Sequence, residues 1–108
     1  MITIRHWEED SWSKPKSFHL TADGHAGADH NADGHDLVCC AVSTLMQALA
    51  HSCSKVDGLK VVSSQSDGFM HISLWGDTVW DEILPRYTMV LDALEVLSYQ
   101  HPEHIRFS

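Results

Sequence analysis

The feature that most constrains this chain is a change of hydrophobic period on either side of one aperiodic segment. Ile2 and Ile4 alternate with polar neighbours, as do Phe18, Leu20 and Ala22, the period of two that half-buried strands show. Val38, Val42, Leu45, Leu49 and Cys53 instead recur every three or four residues, the apolar stripe of an amphipathic helix. Between the two patterns, from Asp23 to Asp36, nothing repeats, and Gly, Ala, Asp, Asn and His replace the larger apolar residues. A chain that changes period in this way lays a helix on a sheet. The segment between is a long loop, and long loops in compact domains commonly carry function.

The remaining elements follow from the same signals. Met1 to Arg5 reads as the first strand, with Trp7 able to extend it, and Phe18 to Ala22 as the second. The polar stretch from Glu8 to Lys16, which contains a proline, reads as their hairpin connection. Asp36 is suited to cap the first helix, because its carboxylate can accept from the free N–H groups of the first turn. That helix should end near Ser54, before Asp57-Gly58. Leu59 to Val62 and Phe69 to Leu74 read as two more strands joined by Ser64-Gln65-Ser66-Asp67-Gly68. Trp80, Ile83, Leu84, Tyr87, Val90, Leu91, Leu94 and Leu97 mark a second helix, in which Pro85 either forms a kink or opens the regular part. His101-Pro102 stops it, and Ile105 to Phe107 supplies a short edge strand. The expected fold is α+β: a two-layer sandwich of two helices on a mixed four- to five-stranded sheet, in ββαββα order, as a single domain over residues 1–108.

Charge narrows the function classes. Lys+Arg is 7 against Asp+Glu 15, a formal net charge of −8. Such a surface repels a phosphate backbone, so direct nucleic-acid binding is not expected. No apolar run is read as long enough for a membrane span, and no charged-then-apolar segment opens the chain. The expectation is a cytoplasmic protein without a membrane partner. Three cysteines, two of them adjacent, make no disulfide framework. The surplus lies in histidine: nine in all, with His25, His30 and His35 crowded into the aperiodic loop.

Beside that loop stands a thiol placed for chemistry. Cys39 falls in the first turn of the expected helix, where the macrodipole and free N–H groups lower a thiol's pKa. A histidine folding back from the loop would supply the base that cysteine catalysis needs. Asp36 opposes thiolate formation if it lies close, or orients a histidine, or only caps the helix. At about 100° per residue, Cys39 shares an edge with Ser43 and borders the apolar stripe, whereas Cys40 sits with Thr44, Gln47 and His51 on the polar side. Cys40 is read as a semi-buried helix residue and Cys53 as core. A different use of the same residues is a metal site built from His25, His30 and His35 with the neighbouring aspartates, or a non-catalytic module that binds a partner through its acidic surface. His6, His19, His51, His71, His101 and His104 are read as structural or solvated, and Trp7, Trp12, Trp75 and Trp80 as lying at element ends.

Three motifs carry a resemblance. Gly24-His25-Ala26 at a strand end, Gly34-His35-Asp36-Leu37-Val38-Cys39, and Ala41-Val42-Ser43 stand in an order and spacing that resemble the ribosomal-processing cysteine protease family, Prp. Gly68-Phe69-Met70-His71-Ile72 and His101-Pro102-Glu103-His104-Ile105-Arg106 extend the likeness over nearly the whole chain. The resemblance implies a homodimeric cytoplasmic cysteine endopeptidase, without cofactor or metal. Its implied substrate is the N-terminal extension of large-subunit ribosomal protein twenty-seven. It implies His25 as the catalytic histidine and Cys39 as the nucleophile, with Asp36 and Ser43 in support. Gly24, Ala26, Gly27 and Gly34 would belong to a loop that covers the substrate. Cys40 departs from the family, which usually has a small residue such as alanine there, and the loop before Cys39 is longer and richer in His and Asp.

Overall fold

The alternating segments pair into one sheet. The computed structural model describes residues 1–11, 14–24, 35–76 and 79–108. Strands β1 (Ile2–Ser11) and β2 (Lys14–Asp23) form an antiparallel hairpin, with Ile4 opposite Ala22 and His6 opposite Leu20. The stretch from Glu8 to Lys16, expected as a connection, is mostly ladder: Glu9 pairs with Ser17 and Ser11 with Lys14, across a register shift. Side-chain patterning reports burial, and Glu8 to Asp10 are exposed. Backbone pairing needs no burial and continues past the point where the apolar pattern stops.

Strand β4 (Phe69–Gly76) pairs antiparallel with β2, Ile72 opposite Leu20, and β3 (Leu59–Ser66) pairs with its other edge. Both run longer than their apolar cores, so the turn shrinks to Asp67-Gly68, with Gly68 at φ +74°. Strand β5 (Ile105–Phe107) lies parallel to β1, held also by the Ile2 N–H donating to the His104 carbonyl at 2.8 Å. The sheet is mixed and five-stranded, in the order β3-β4-β2-β1-β5. This is the expected α+β arrangement.

Ile2, Ile4, Phe18, Leu20, Ile72 and Leu74 are buried on one face of the sheet. Helix α1 (His35–Ser54) covers them with Val38, Val42, Met46, Leu49 and Cys53. Met46, absent from the expected stripe, is fully buried, while Leu45 only packs at the margin of the core. At 100° per residue the two flank the stripe at similar angles. Burying Met46 turns toward the sheet the side of the helix that also carries Cys39. Contrary to the sequence expectation, Leu37–Ser54 is long and apolar enough to cross a membrane. In this fold its apolar stripe is the core of the sandwich.

Helix α2 (Leu84–Gln100) resolves the ambiguity of Pro85, which sits in its first turn rather than at a kink. A π-helical segment, Val79–Ile83, leads into it and buries Ile83. The Arg86 side chain ties the helices together, its Nε donating to Ser52 Oγ of α1 at 2.8 Å. Tyr87 ties α2 to the sheet. Its ring lies 5.1 Å from that of Phe18, and its hydroxyl donates to the His19 carbonyl at 2.6 Å. Burial pushes its phenol well above the ordinary range, so it remains a donor. Replacing Tyr87 with Phe removes that bond and should cost about 1 kcal/mol. Thermal unfolding should show a lower midpoint; an unchanged midpoint would mean the bond contributes nothing.

Candidate active site

Cys39 stands on α1 one turn in from its start, because the helix begins at His35 rather than after a cap at Asp36. Asp36 is therefore inside the helix, and capping by it is not what the backbone shows. An α-helix leaves the N–H groups of its first four residues, here His35 to Val38, without intrahelical acceptors. Side chains of a helix lean toward its N-terminus, which tilts the Cys39 thiol toward those donors. The macrodipole acts most strongly within the first turn, so its pull on a thiol at this position is weaker than at the expected one.

The thiol opens on a groove of about 180 Å³. Cys39 and Ser43 line one side from α1, Ala22 and Gly24 another from the end of β2, and Phe69 and Met70 a third from β4. Ile2 and Met46 add further apolar lining, while Gln65 and Ser66 of β3 contribute polar groups. Ser43, one helical turn beyond Cys39, accepts a hydrogen bond from Gln47 Nε2 at 2.9 Å. The groove thus offers a thiol, a hydroxyl and an apolar bed, which suits an extended peptide with an apolar side chain.

Gly24 serves as a wall of this groove. Its φ is +125°, and a Cβ there would run into the Met1 carbonyl. Its N–H donates to the Gly68 carbonyl at 2.8 Å, which pins the β3–β4 turn against the end of β2. Glycine is required because both the dihedral and the close approach exclude a side chain. His25 follows it in sequence, but His25, Ala26, Gly27 and Gly34 lie outside the described residues, as does the Asp36 side chain.

The three thiols occupy three environments. Cys53 is buried, and burial pushes its thiol up, only partly opposed by Arg86. Cys40 is fully on the exposed side, more open than its expected semi-buried place, beside exposed Thr44, Gln47 and His51. Cys39 alone is half-buried at the groove. Of the residues singled out from the sequence, Cys39, Ser43 and Gly24 line one groove. Sequence reasoning missed the contribution of this region to the groove: Gly68 was read as turn and Phe69-Met70 as strand, with no place at the site assigned to them. The signal was the Asp67-Gly68 pair, a turn signature that says nothing about which strand end the turn will meet.

A helix-borne thiol at the edge of an apolar, peptide-sized groove, on a two-layer α+β domain, is the arrangement of a thiol-dependent peptidase. The chain belongs to the cysteine protease Prp family, whose model matches residues 1–106. Among solved structures it is similar to the ribosomal processing protease Prp from S. aureus in complex with a covalently linked product peptide. That match has 25% identity and a TM-score of 0.73, covering 100% of this chain and 98% of the other. The same S. aureus protease in complex with a substrate peptide matches at 24% identity and TM-score 0.75, with coverage of 100% and 98%. SMU.848 from Streptococcus mutans shares the fold at 20% identity and TM-score 0.68, covering 100% and 96%. A search of curated proteins returned no match.

Alkylation separates an activated thiol from an exposed one. With iodoacetamide near neutral pH, Cys39 should be modified faster than the more exposed Cys40, and Cys53 should stay unmodified in the folded protein. Peptide-level mass spectrometry reads all three; Cys40 reacting first would contradict activation of Cys39.

Proposed function

We propose that this chain is an endopeptidase that removes the N-terminal extension of large-subunit ribosomal protein twenty-seven, with His25 and Cys39 as its catalytic pair. The observation that carries the reading is the Cys39 thiol at the rim of an apolar groove, in a member of a cysteine protease family. The S. aureus relative, a ribosomal processing protease with a product peptide covalently linked, supports both the chemistry and the substrate class. The net charge of −8 favours encounter with a basic ribosomal protein.

In this mechanism His25 takes the Cys39 proton, and the thiolate attacks the scissile carbonyl, forming a C–S bond. N–H groups at the start of α1 hold the resulting oxyanion. The C–N bond then breaks as His25 protonates the departing amine. Water, deprotonated by His25, attacks the thioester and releases the extension with Cys39 as the leaving thiolate. Asp36 orients the histidine and Ser43 supports the groove beside the thiol. Ala26, Gly27 and Gly34 belong to the segment that covers the bound peptide, and Gly24 anchors its beginning.

The protein acts in the cytoplasm, where its substrate is made, as a homodimer. Met89 and Val96, exposed two turns apart on α2, offer apolar surface for a second copy. Incubation with the ribosomal precursor, followed by intact-mass measurement, tests the substrate assignment. The wild-type chain should shorten the precursor, and Cys39→Ala or His25→Ala should slow cleavage by about a thousandfold or more. Unimpaired cleavage by Cys39→Ala would remove the assignment of the nucleophile.

A further inference from the structure

The face of the sheet turned away from α1 carries a second cluster that the peptidase chemistry does not use. His19 of β2 and His71 and Ser73 of β4 face outward there, because their neighbours Leu20, Ile72 and Leu74 are buried on the other side. These histidines, expected to be structural or solvated, have turned toward one another. His19 Nδ1 lies 3.3 Å from His71 Nε2, and Ser73 Oγ lies 3.0 Å from the first and 3.2 Å from the second. Three donor atoms thus form a nearly equilateral triangle on one side of the sheet.

Those edges match a coordination polyhedron. A tetrahedral zinc ion with bonds of about 2.0–2.1 Å has donor–donor edges of about 3.3–3.4 Å. The surroundings have the form of a metal ligand's support. The other ring nitrogen of His19, Nε2, lies 3.0 Å from Ser17 Oγ and 3.8 Å from Glu9 Oε1. A carboxylate behind a histidine fixes its tautomer and raises its basicity as a ligand. Glu9 is itself held by the Trp7 indole N–H at 3.2 Å, and the Trp7 ring stacks on His19 with centroids 4.9 Å apart. Ligand imidazoles must be neutral, and burial lowers the pKa of His19, with Glu9 opposing and His71 reinforcing. The β3 residues paired with His71 and Ser73 are Ser64 and Val62, which carry no charge.

We propose that His19 Nδ1 and His71 Nε2 bind a divalent first-row transition metal, zinc foremost, with Ser73 Oγ and water in the remaining positions. Among the described residues no group of three or more His, Cys, Asp or Glu could hold a metal ion. The site is accordingly an open two-histidine site, of the kind imidazole-preferring Zn²⁺, Cu²⁺ or Ni²⁺ would occupy. A bound ion would fasten β2 to β4 on the layer opposite α1 and would take no part in the Cys39 chemistry. The net charge of −8 favours a cation.

The test uses the full chain freed of metal, titrated with Zn²⁺ against a chromophoric chelator at pH 7.5. One saturable equivalent is expected. His19→Gln and His71→Gln should each weaken it at least about tenfold, and Glu9→Gln, which removes the supporting carboxylate, about tenfold. Binding should weaken as pH falls through the imidazole range, because protons then occupy the lone pairs. The triple change of His25, His30 and His35 to Gln should leave it intact, which separates this site from the histidine-rich loop. Imidazole nitrogen NMR of the wild-type chain needs no variant: zinc should shift His19 and His71 together. Absence of saturable binding, shifts confined to other histidines, or loss of binding in the loop variant would each overturn the proposal, leaving the trio as a hydrogen-bonded cluster.

Discussion

Burial of one side of α1 against the sheet is the constraint on which the rest of the structure depends. Val38, Val42, Met46, Leu49 and Cys53 carry that contact, and each is nearly or completely withdrawn from water. Withdrawing a side chain of this size is worth about 1.5–3 kcal/mol, so rotating the helix by even one residue would be opposed by several such terms at once. The rotation that buries Met46 leaves Cys39 half-covered at the groove and Cys40 outside. Adjacent cysteines thereby acquire different surroundings from packing alone. The same contact closes the groove from below, since Met46 is both core and lining.

The groove also depends on a junction that has nothing to do with the helix. Gly24 ends β2 in a conformation reserved for glycine, hard against the backbone of Met1, and bonds to Gly68 across the sheet. Strand end, chain start and β3–β4 turn therefore meet at the level of the thiol. His25 follows directly in sequence. The opposite face of the sheet has a separate organisation, built on Trp7, His19, His71 and Ser73. The groove and this cluster thus lie on opposite faces of one sheet.

Much of this was legible in the sequence because burial imposes periodicity. Ile2 and Ile4, Phe18 to Ala22, and the α1 stripe announce their elements and the layer they share. The hairpin from Glu8 to Lys16 was not legible, since exposed ladder carries no apolar pattern. Pro85 admitted two readings from local chemistry, and only the π-helical segment before it selects one. At the site, helical spacing placed Cys39 with Ser43, and the glycine before His25 marked the strand end. The wall from Phe69 and Met70, and the His19–His71 approach across more than fifty residues, arise from strand pairing between distant segments. Nothing in a local window encodes such pairing. The start of α1 at His35 displaced the expected Asp36 cap and moved Cys39 past the first turn, where the pull of the macrodipole is weaker.

In the proposed mechanism the Cys39 sulfur forms the covalent bond to the substrate's acyl group. Rapid acid quench of the enzyme with the ribosomal precursor, followed by peptide-level mass spectrometry, measures this directly. Catalysis by this thiol gives a transient adduct with the mass of the N-terminal extension less one water, attached to the peptide that contains Cys39. Cleavage that proceeds with the extension attached to another residue, or with a Cys39→Ala chain still turning over, would contradict it.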